Sequence, residues 1–359
     1  MKKIIFFGIS LLVGIALFVG VFWRLGWDSI FIAVQSFTLW KWLVIVFFYS
    51  LALYVTLYRW HLILKSQGYD IPTQKLFASR LVGFAGDYLT PSPNIGGEAI
   101  RALVLKKGTG VPMAQGLASI ILDKVMDFSY ALPFLVFSIF YALIYFDLSA
   151  KIVLGLIAVS GTFIFLLGLF YYRTLTRRHF FGGIIRFVQL HRFSFMAKAM
   201  QKIANFEQII VEFFKNHTRV FWQGIGLSIA GGLSTLTAMW LITRFIGMST
   251  SFLDIILIST LTVITFLLPI PGSIGSTETG LALIFTLIGY PAEQGVVFSL
   301  IFRSVDLVKV GIGLFYLSRF GLTLGETMFA KKVDAIPVNG NGQETPAAVT
   351  SIHESDNHE

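Results

Sequence analysis

The chain contains no cysteine, which excludes disulfides and thiolate metal sites. Charge is nearly as scarce: Asp, Glu, Lys and Arg make up 13% of the 359 residues, against about 25% in ordinary soluble domains. The familiar catalytic signatures are missing as well. There is no G-x-S-x-G, H-E-x-x-H, Walker loop or zinc-ligand spacing, and the six histidines lack ligand-like neighbours. No metal or cofactor is therefore expected. What the chain does have is apolar surface: 55% of it is hydrophobic and the mean hydropathy is +0.77. Such a chain is solvated mainly by lipid, and its length suits a bundle of about six to eight passes. The net charge of +9 sits beside apolar spans rather than on a polar domain. Attraction to anionic lipid accounts for it better than nucleic acid does.

The second feature is repetition. Gly110-Val111-Pro112-Met113-Ala114-Gln115-Gly116 returns as Gly289-Tyr290-Pro291-Ala292-Glu293-Gln294-Gly295, about 180 residues later. Each copy is followed by a cation with an Asp three further on, Lys124 and Asp127, then Arg303 and Asp306. Upstream of each lies a Pro-x-Pro step, Pro91-Ser92-Pro93 and Pro269-Ile270-Pro271, followed by glycines and one acid, Glu98 or Glu278. Gly68 and Gly247 extend the match leftwards. A collinear set of this kind reads as an internal duplication.

Apolar spans are expected at 4–23, 42–58, 128–146, 152–172, 220–243 and 295–317. Between 173 and 219 lie nine Lys/Arg against two acids. The positive-inside bias then places the N-terminus, this connector and Lys331-Lys332 on the cytoplasmic side of the cell membrane. Two further stretches, 76–107 and 252–288, are broken by Pro and Gly and carry charges. They read as re-entrant helical hairpins, which a bilayer tolerates only inside protein or along a watery cavity; the alternative is eight full helices, two of them kinked. The spans carrying Lys124 and Arg303 cross in opposite senses, so the copies, about 42–146 and 220–320, form an inverted repeat. The expected fold is thus an all-α polytopic domain over 1–325, followed by a disordered cytoplasmic tail over 326–359. In the connector, Ile203, Phe206, Ile210, Phe213 and Phe214 share one helical face. That fits a helix lying on the inner leaflet or a solvated linker with a packed stripe.

Charges inside the bundle are the candidates for chemistry, because each costs about 2.5–3.5 kcal/mol to place at a helix centre. Asp123, Lys124 and Asp127 lie within one turn. Lys124–Asp127 and Arg303–Asp306 can each meet along one helix face, either to neutralise their own burial or to serve a pathway. Gly96 and Gly97 open a returning helix whose free N–H groups suit a phosphate, with Glu98 to complement the dipole or to orient Arg101. Glu278 has no adjacent cation in the sequence, a setting that favours a neutral or proton-exchanging acid.

Together, Pro-x-Pro…Gly-Gly-Glu-x-x-Arg at 91–101, Asp123-Lys124-x-x-Asp127, Leu268-Pro269-Ile270-Pro271-Gly272-x-x-Gly275-x-x-Glu278 and Arg303 resemble the lysylphosphatidylglycerol synthase transmembrane region, or flippase-like domain family. The resemblance covers about residues 5–325. Two-part members of that family follow this lipid-translocating region with a soluble aminoacyl-transferase half. Here a short tail follows, so the resemblance implies the flippase-like module without lysyl-lipid synthesis. Gly272-Ser273 stands where the family often has Gly-Gly, and Lys124 where Arg is common.

Three functions follow as expectations. The first is translocation of a phospholipid or lipid-linked polar headgroup. The second is an integral transferase or accessory subunit for polar-lipid or lipid-linked-sugar modification, and the third a proton-coupled solute transporter. The expected site joins Gly96, Gly97, Glu98, Arg101, Lys124, Asp127, Glu278, Arg303 and Asp306 around one cavity, with Arg101 and Arg303 holding a lipid phosphate. Expected partners are anionic membrane phospholipids, and a second copy of the chain or a separate lipid-modifying enzyme.

Overall fold

The structure, a computed structural model, describes residues 37–90, 97–146, 150–176, 180–187, 194–265 and 270–320, with isolated positions before residue 37. Those residues form helices α1 (Leu39–Ser66), α2 (Thr73–Leu89), α3 (Gly97–Thr109), α4 (Met113–Tyr145), α5 (Ala150–Leu175), α6 (Phe180–Phe187), α7 (Ser194–Asn216), α8 (Thr218–Phe245), α9 (Phe252–Thr265), α10 (Ser276–Leu287) and α11 (Ala292–Arg319), with a 3-10 turn at Pro271–Ser273 between α9 and α10. No strand occurs among the described residues. Helices α1, α4, α5 and α8 are long and apolar enough to cross a membrane. The protein is an all-α polytopic membrane protein. The expected span at 4–23, Pro91, Pro93, Gly96, Pro269 and the tail 326–359 lie outside the described residues.

Helix starts and stops recur at one interval, as a duplication would have it. Leu39 and Thr218, Gly97 and Ser276, and Met113 and Ala292 open equivalent helices at one constant offset. The stop signals repeat as well: Gly68 and Gly247 have φ of 89° and 86°, and Gly110 and Gly289 have 76° and 85°. This is left-handed backbone that glycine alone adopts without penalty. Pro112 and Pro291 then sit at the N-caps of α4 and α11 with φ of −59° each, already set for the helix that follows. Packing follows the same rule. α1 lies against α8, while each copy's second helix meets the other copy's last, α2 on α11 and α9 on α4.

The two broken stretches are hairpins of short helices: α2 and α3 of 17 and 13 residues, α9 and α10 of 14 and 12. At 1.5 Å per residue each falls short of the roughly 30 Å hydrocarbon core. The first closes tightly. A Cβ on Gly97 would lie 2.0 Å from the Gly83 carbonyl oxygen, so backbone meets backbone. The Ser79 hydroxyl donates to the Arg101 carbonyl at 2.7 Å, and the Gly97 N–H donates to the Asp87 carboxylate at 2.7 Å. Beside Gly272, whose added Cβ would meet the Tyr88 ring at 2.7 Å, the two hairpins touch.

Two span boundaries need revision. α1 runs on to Ser66, eight residues beyond the end expected at position 58, and this puts Arg59 inside the helix. α4 begins at Met113 rather than near 128, because Pro112 starts it, and this puts Asp123, Lys124 and Asp127 mid-helix. In the connector, the apolar stripe expected on one helical face packs against α5. Ile210 and Phe213 of α7 are buried with Leu167 and Phe170 of α5, and Glu207 accepts N–H groups of Phe181 and Gly182, fastening α7 to the start of α6.

Candidate functional site

Where α1, α4 and α8 cross, Arg59 has no exposed surface. Its guanidinium donates to Asp123 at 2.6 and 2.8 Å, to both carboxylate oxygens of Asp127, and to the Ser228 hydroxyl. Asp123 is 1% exposed and also receives Arg80 of α2 at 3.0 Å and Arg101 of α3 at 3.2 Å. Arg101 is further fixed by stacking on Trp60 at 3.6 Å, whose indole N–H donates to Ser119. One carboxylate therefore gathers three helices of the first repeat around it. Such clusters are stable only when every member is satisfied, since a stranded buried charge is far more costly than the pair is favourable. Lys124 completes the group by pairing with Glu98 at the start of α3.

The second repeat carries a sparser version. Arg303 on α11 pairs with fully buried Glu278 at 2.6 Å, donates to the Ser273 carbonyl and reaches the Tyr88 hydroxyl of the first repeat at 3.4 Å. Glu278 also accepts the Gly275 N–H at 2.7 Å, closing the first turn of α10. Asp306 pairs with Lys309 at 2.6 Å, and Lys309 lies over the rings of Phe84 at 4.7 Å and Tyr49 at 5.7 Å. At the repeat offset, Arg59, Arg80, Arg101 and Asp123 correspond to Ala238, Ser259, Gly280 and Phe302. The ionic cluster belongs to one repeat alone, and the largest apolar core, with Ile242, Leu281, Phe285 and Phe298, occupies much of the other.

Between the repeats lies a cavity of about 420 Å³ whose lining is largely apolar but carries a cluster of charged side chains. Its charged lining is Arg80 and Asp87 from α2 and Asp306 and Lys309 from α11, with Tyr88, Ser273 and Thr235 beside them. An apolar cleft of about 580 Å³ adjoins it between α1, α2 and α11. The two share Tyr49, Leu53, Leu81 and Lys309.

The candidate residues are thus spread over several partners. Among those described, Asp306 lines the cavity, whereas Arg101 lies behind it against Trp60 and Asp123. Glu98 pairs with Lys124 rather than orienting Arg101. The pairs expected along single helices are drawn apart: Asp127 goes to Arg59, Arg303 to Glu278 and Asp306 to Lys309. Glu278 has a cation after all, supplied by a neighbouring helix. Gly97 is consumed by hairpin closure, its N–H already given to Asp87; Gly96 lies outside the described residues. Arg59, Arg80, Asp87, Tyr88 and Lys309 were not singled out by spacing. The available signal was simply charge within apolar helices. Among the described residues no cluster of His, Asp or Glu could hold a metal ion.

Comparison with known proteins fits this picture. The chain is 24% identical over 300 residues to a UPF0104 membrane protein of Methanothermobacter thermautotrophicus, covering 80% of this chain and 87% of that one. It is 25% identical over 269 residues to one of Methanocaldococcus jannaschii, covering 70% and 75%, and 21% identical over 277 residues to one of Pyrococcus horikoshii, covering 74% and 82%. No solved structure matches. The model of the lysylphosphatidylglycerol synthase TM region matches residues 5–313. A duplicated, charge-bearing helical bundle that this model covers almost from end to end belongs to the lysylphosphatidylglycerol synthase transmembrane region family.

Proposed function

We propose that the protein moves a lipid with a polar headgroup across the cell membrane, the headgroup passing through the cavity while the acyl chains stay in the adjoining cleft. The observation that carries this reading is the contiguity of the two spaces through Tyr49, Leu53, Leu81 and Lys309. A solute transporter needs only a polar site, whereas a lipid needs polar and apolar surface side by side. In this reading the repeats are inverted, the two hairpins are re-entrant, and both chain termini are cytoplasmic. The two copies then act as alternating halves. The proton-coupled alternative rested on Glu278 and the repeats, and the pairing of Glu278 with Arg303 at 2.6 Å weighs against a proton-exchanging acid there.

The test is reconstitution of the purified protein in liposomes with a trace of tail-labelled phospholipid and a membrane-impermeant quencher. Protein-dependent movement of tracer between leaflets is expected. Ser304→Trp, which narrows the cleft from a position that belongs to no ion pair itself, should slow that movement severalfold while the protein remains folded. Tracer exchange no faster than in empty liposomes would overturn the proposal.

A further inference from the structure

We infer that the headgroup this cavity accepts is zwitterionic, carrying a phosphate and an ammonium together, rather than net anionic. This rests on the lipid-translocation reading and names the substrate class for the same cavity. The argument is charge balance. Among the described residues the cavity is lined by two cations, Arg80 and Lys309, and two carboxylates, Asp87 and Asp306. The segments at 91–96 and 266–269 add nothing to this count, because their sequences contain no ionisable side chain. The layer behind is balanced too: Arg59, Arg101, Lys124 and Arg303 stand against Glu98, Asp123, Asp127 and Glu278.

A cavity whose described lining has no surplus charge, walled by apolar helices, offers no counter-charge to a net anion, and field inside a low-dielectric wall is weakly screened. It does offer paired poles of both signs. Lys309 and Asp306 are held 2.6 Å apart, and Lys309 stands where the charged cavity meets the apolar cleft. A phosphate at the junction between headgroup and chains meets Lys309 and Arg80, and the outer ammonium reaches the carboxylates of Asp306 and Asp87. Each pole of the headgroup then replaces a partner that the wall already supplies, and no charge is left unpaired during the crossing.

The experiment uses the full chain in vesicles of phosphatidylethanolamine and phosphatidylglycerol in equal parts, with a tail-labelled tracer of one or the other. The zwitterionic tracer is expected to cross about tenfold faster or more than the anionic one. Asp306→Asn leaves Lys309 uncompensated and should turn the preference toward phosphatidylglycerol; a variant that had merely misfolded would lose both. If the anionic tracer crosses faster in the native protein, or if Asp306→Asn leaves the ratio unchanged, the inference is wrong while lipid movement stands. If neither tracer crosses, the translocation reading itself fails.

Discussion

Arg59 shows how much can hang on one side chain. Replaced by methionine, it would deprive Asp127 of both its donors and leave Asp123 to Arg80 and Arg101 alone. Asp123 stays buried with two of its three cations and Asp127 can turn to solvent, so Arg59→Met should lower the unfolding temperature in detergent by less than the full cost of a stranded buried charge, but measurably. Asp127→Asn should be milder, about 1 kcal/mol, because the Asp127 side chain is 41% exposed. Equal effects would mean that the cluster is held by something other than this guanidinium. The residue was hidden in the sequence for a physical reason. Tyr58-Arg59-Trp60 has the look of an interfacial belt, where aromatics and cations gather. An interfacial Arg and a buried one differ only in what faces them from other helices. The same limit explains Glu278: spacing along one chain reveals partners three or four residues away, not one on the next helix.

At the scale of the helix, Pro and Gly proved far more legible than charge. The Pro–Gly breaks located both hairpins, and the repeated glycines marked helix ends that the left-handed φ values account for. What they could not reveal was which glycines carry close packing. Gly116 and Gly295 occupy equivalent places in the two copies, yet their surroundings differ. A Cβ on Gly116 would meet Leu105 at an ordinary 3.5 Å, whereas one on Gly295 would come within 2.5 Å of the Leu281 carbonyl oxygen. Gly295→Ala should therefore cost about 1–3 kcal/mol through overpacking, and Gly116→Ala should fall within about 0.5 kcal/mol of the parent. Thermal unfolding of the two variants side by side decides it. Matching losses would mean that α10 and α11 can separate without penalty.

For the whole molecule the open geometric question is how the repeats face the membrane, and the absence of cysteine makes it directly measurable. Asp70 follows α1, and Ser249 stands at the equivalent place after α8; both are exposed. Single-cysteine variants Asp70→Cys and Ser249→Cys, treated with an impermeant maleimide on intact cells, should label from opposite sides, Ser249→Cys from outside. Labelling from the same side would make the repeats parallel and remove the alternating-halves mechanism. The expected orientation rests on the basic connector, since lipid charge acts on stretches of chain. Which helices pack across the repeat boundary was not readable, because that depends on shape in three dimensions.

The confinement of the arginine cluster to the first copy has a final consequence. Two identical halves exchanging roles would make the inward-open and outward-open poses related by a two-fold rotation and equal in energy, each populated half the time. Here one half is riveted by Arg59, Arg80, Arg101 and Asp123, and the other has Ala238, Ser259, Gly280 and Phe302 at those places. If the copies alternate as proposed, the two poses differ in energy, and the empty protein is expected to rest on one side. A difference of about 1.4 kcal/mol would suffice to hold ten molecules in that pose for each one in the other.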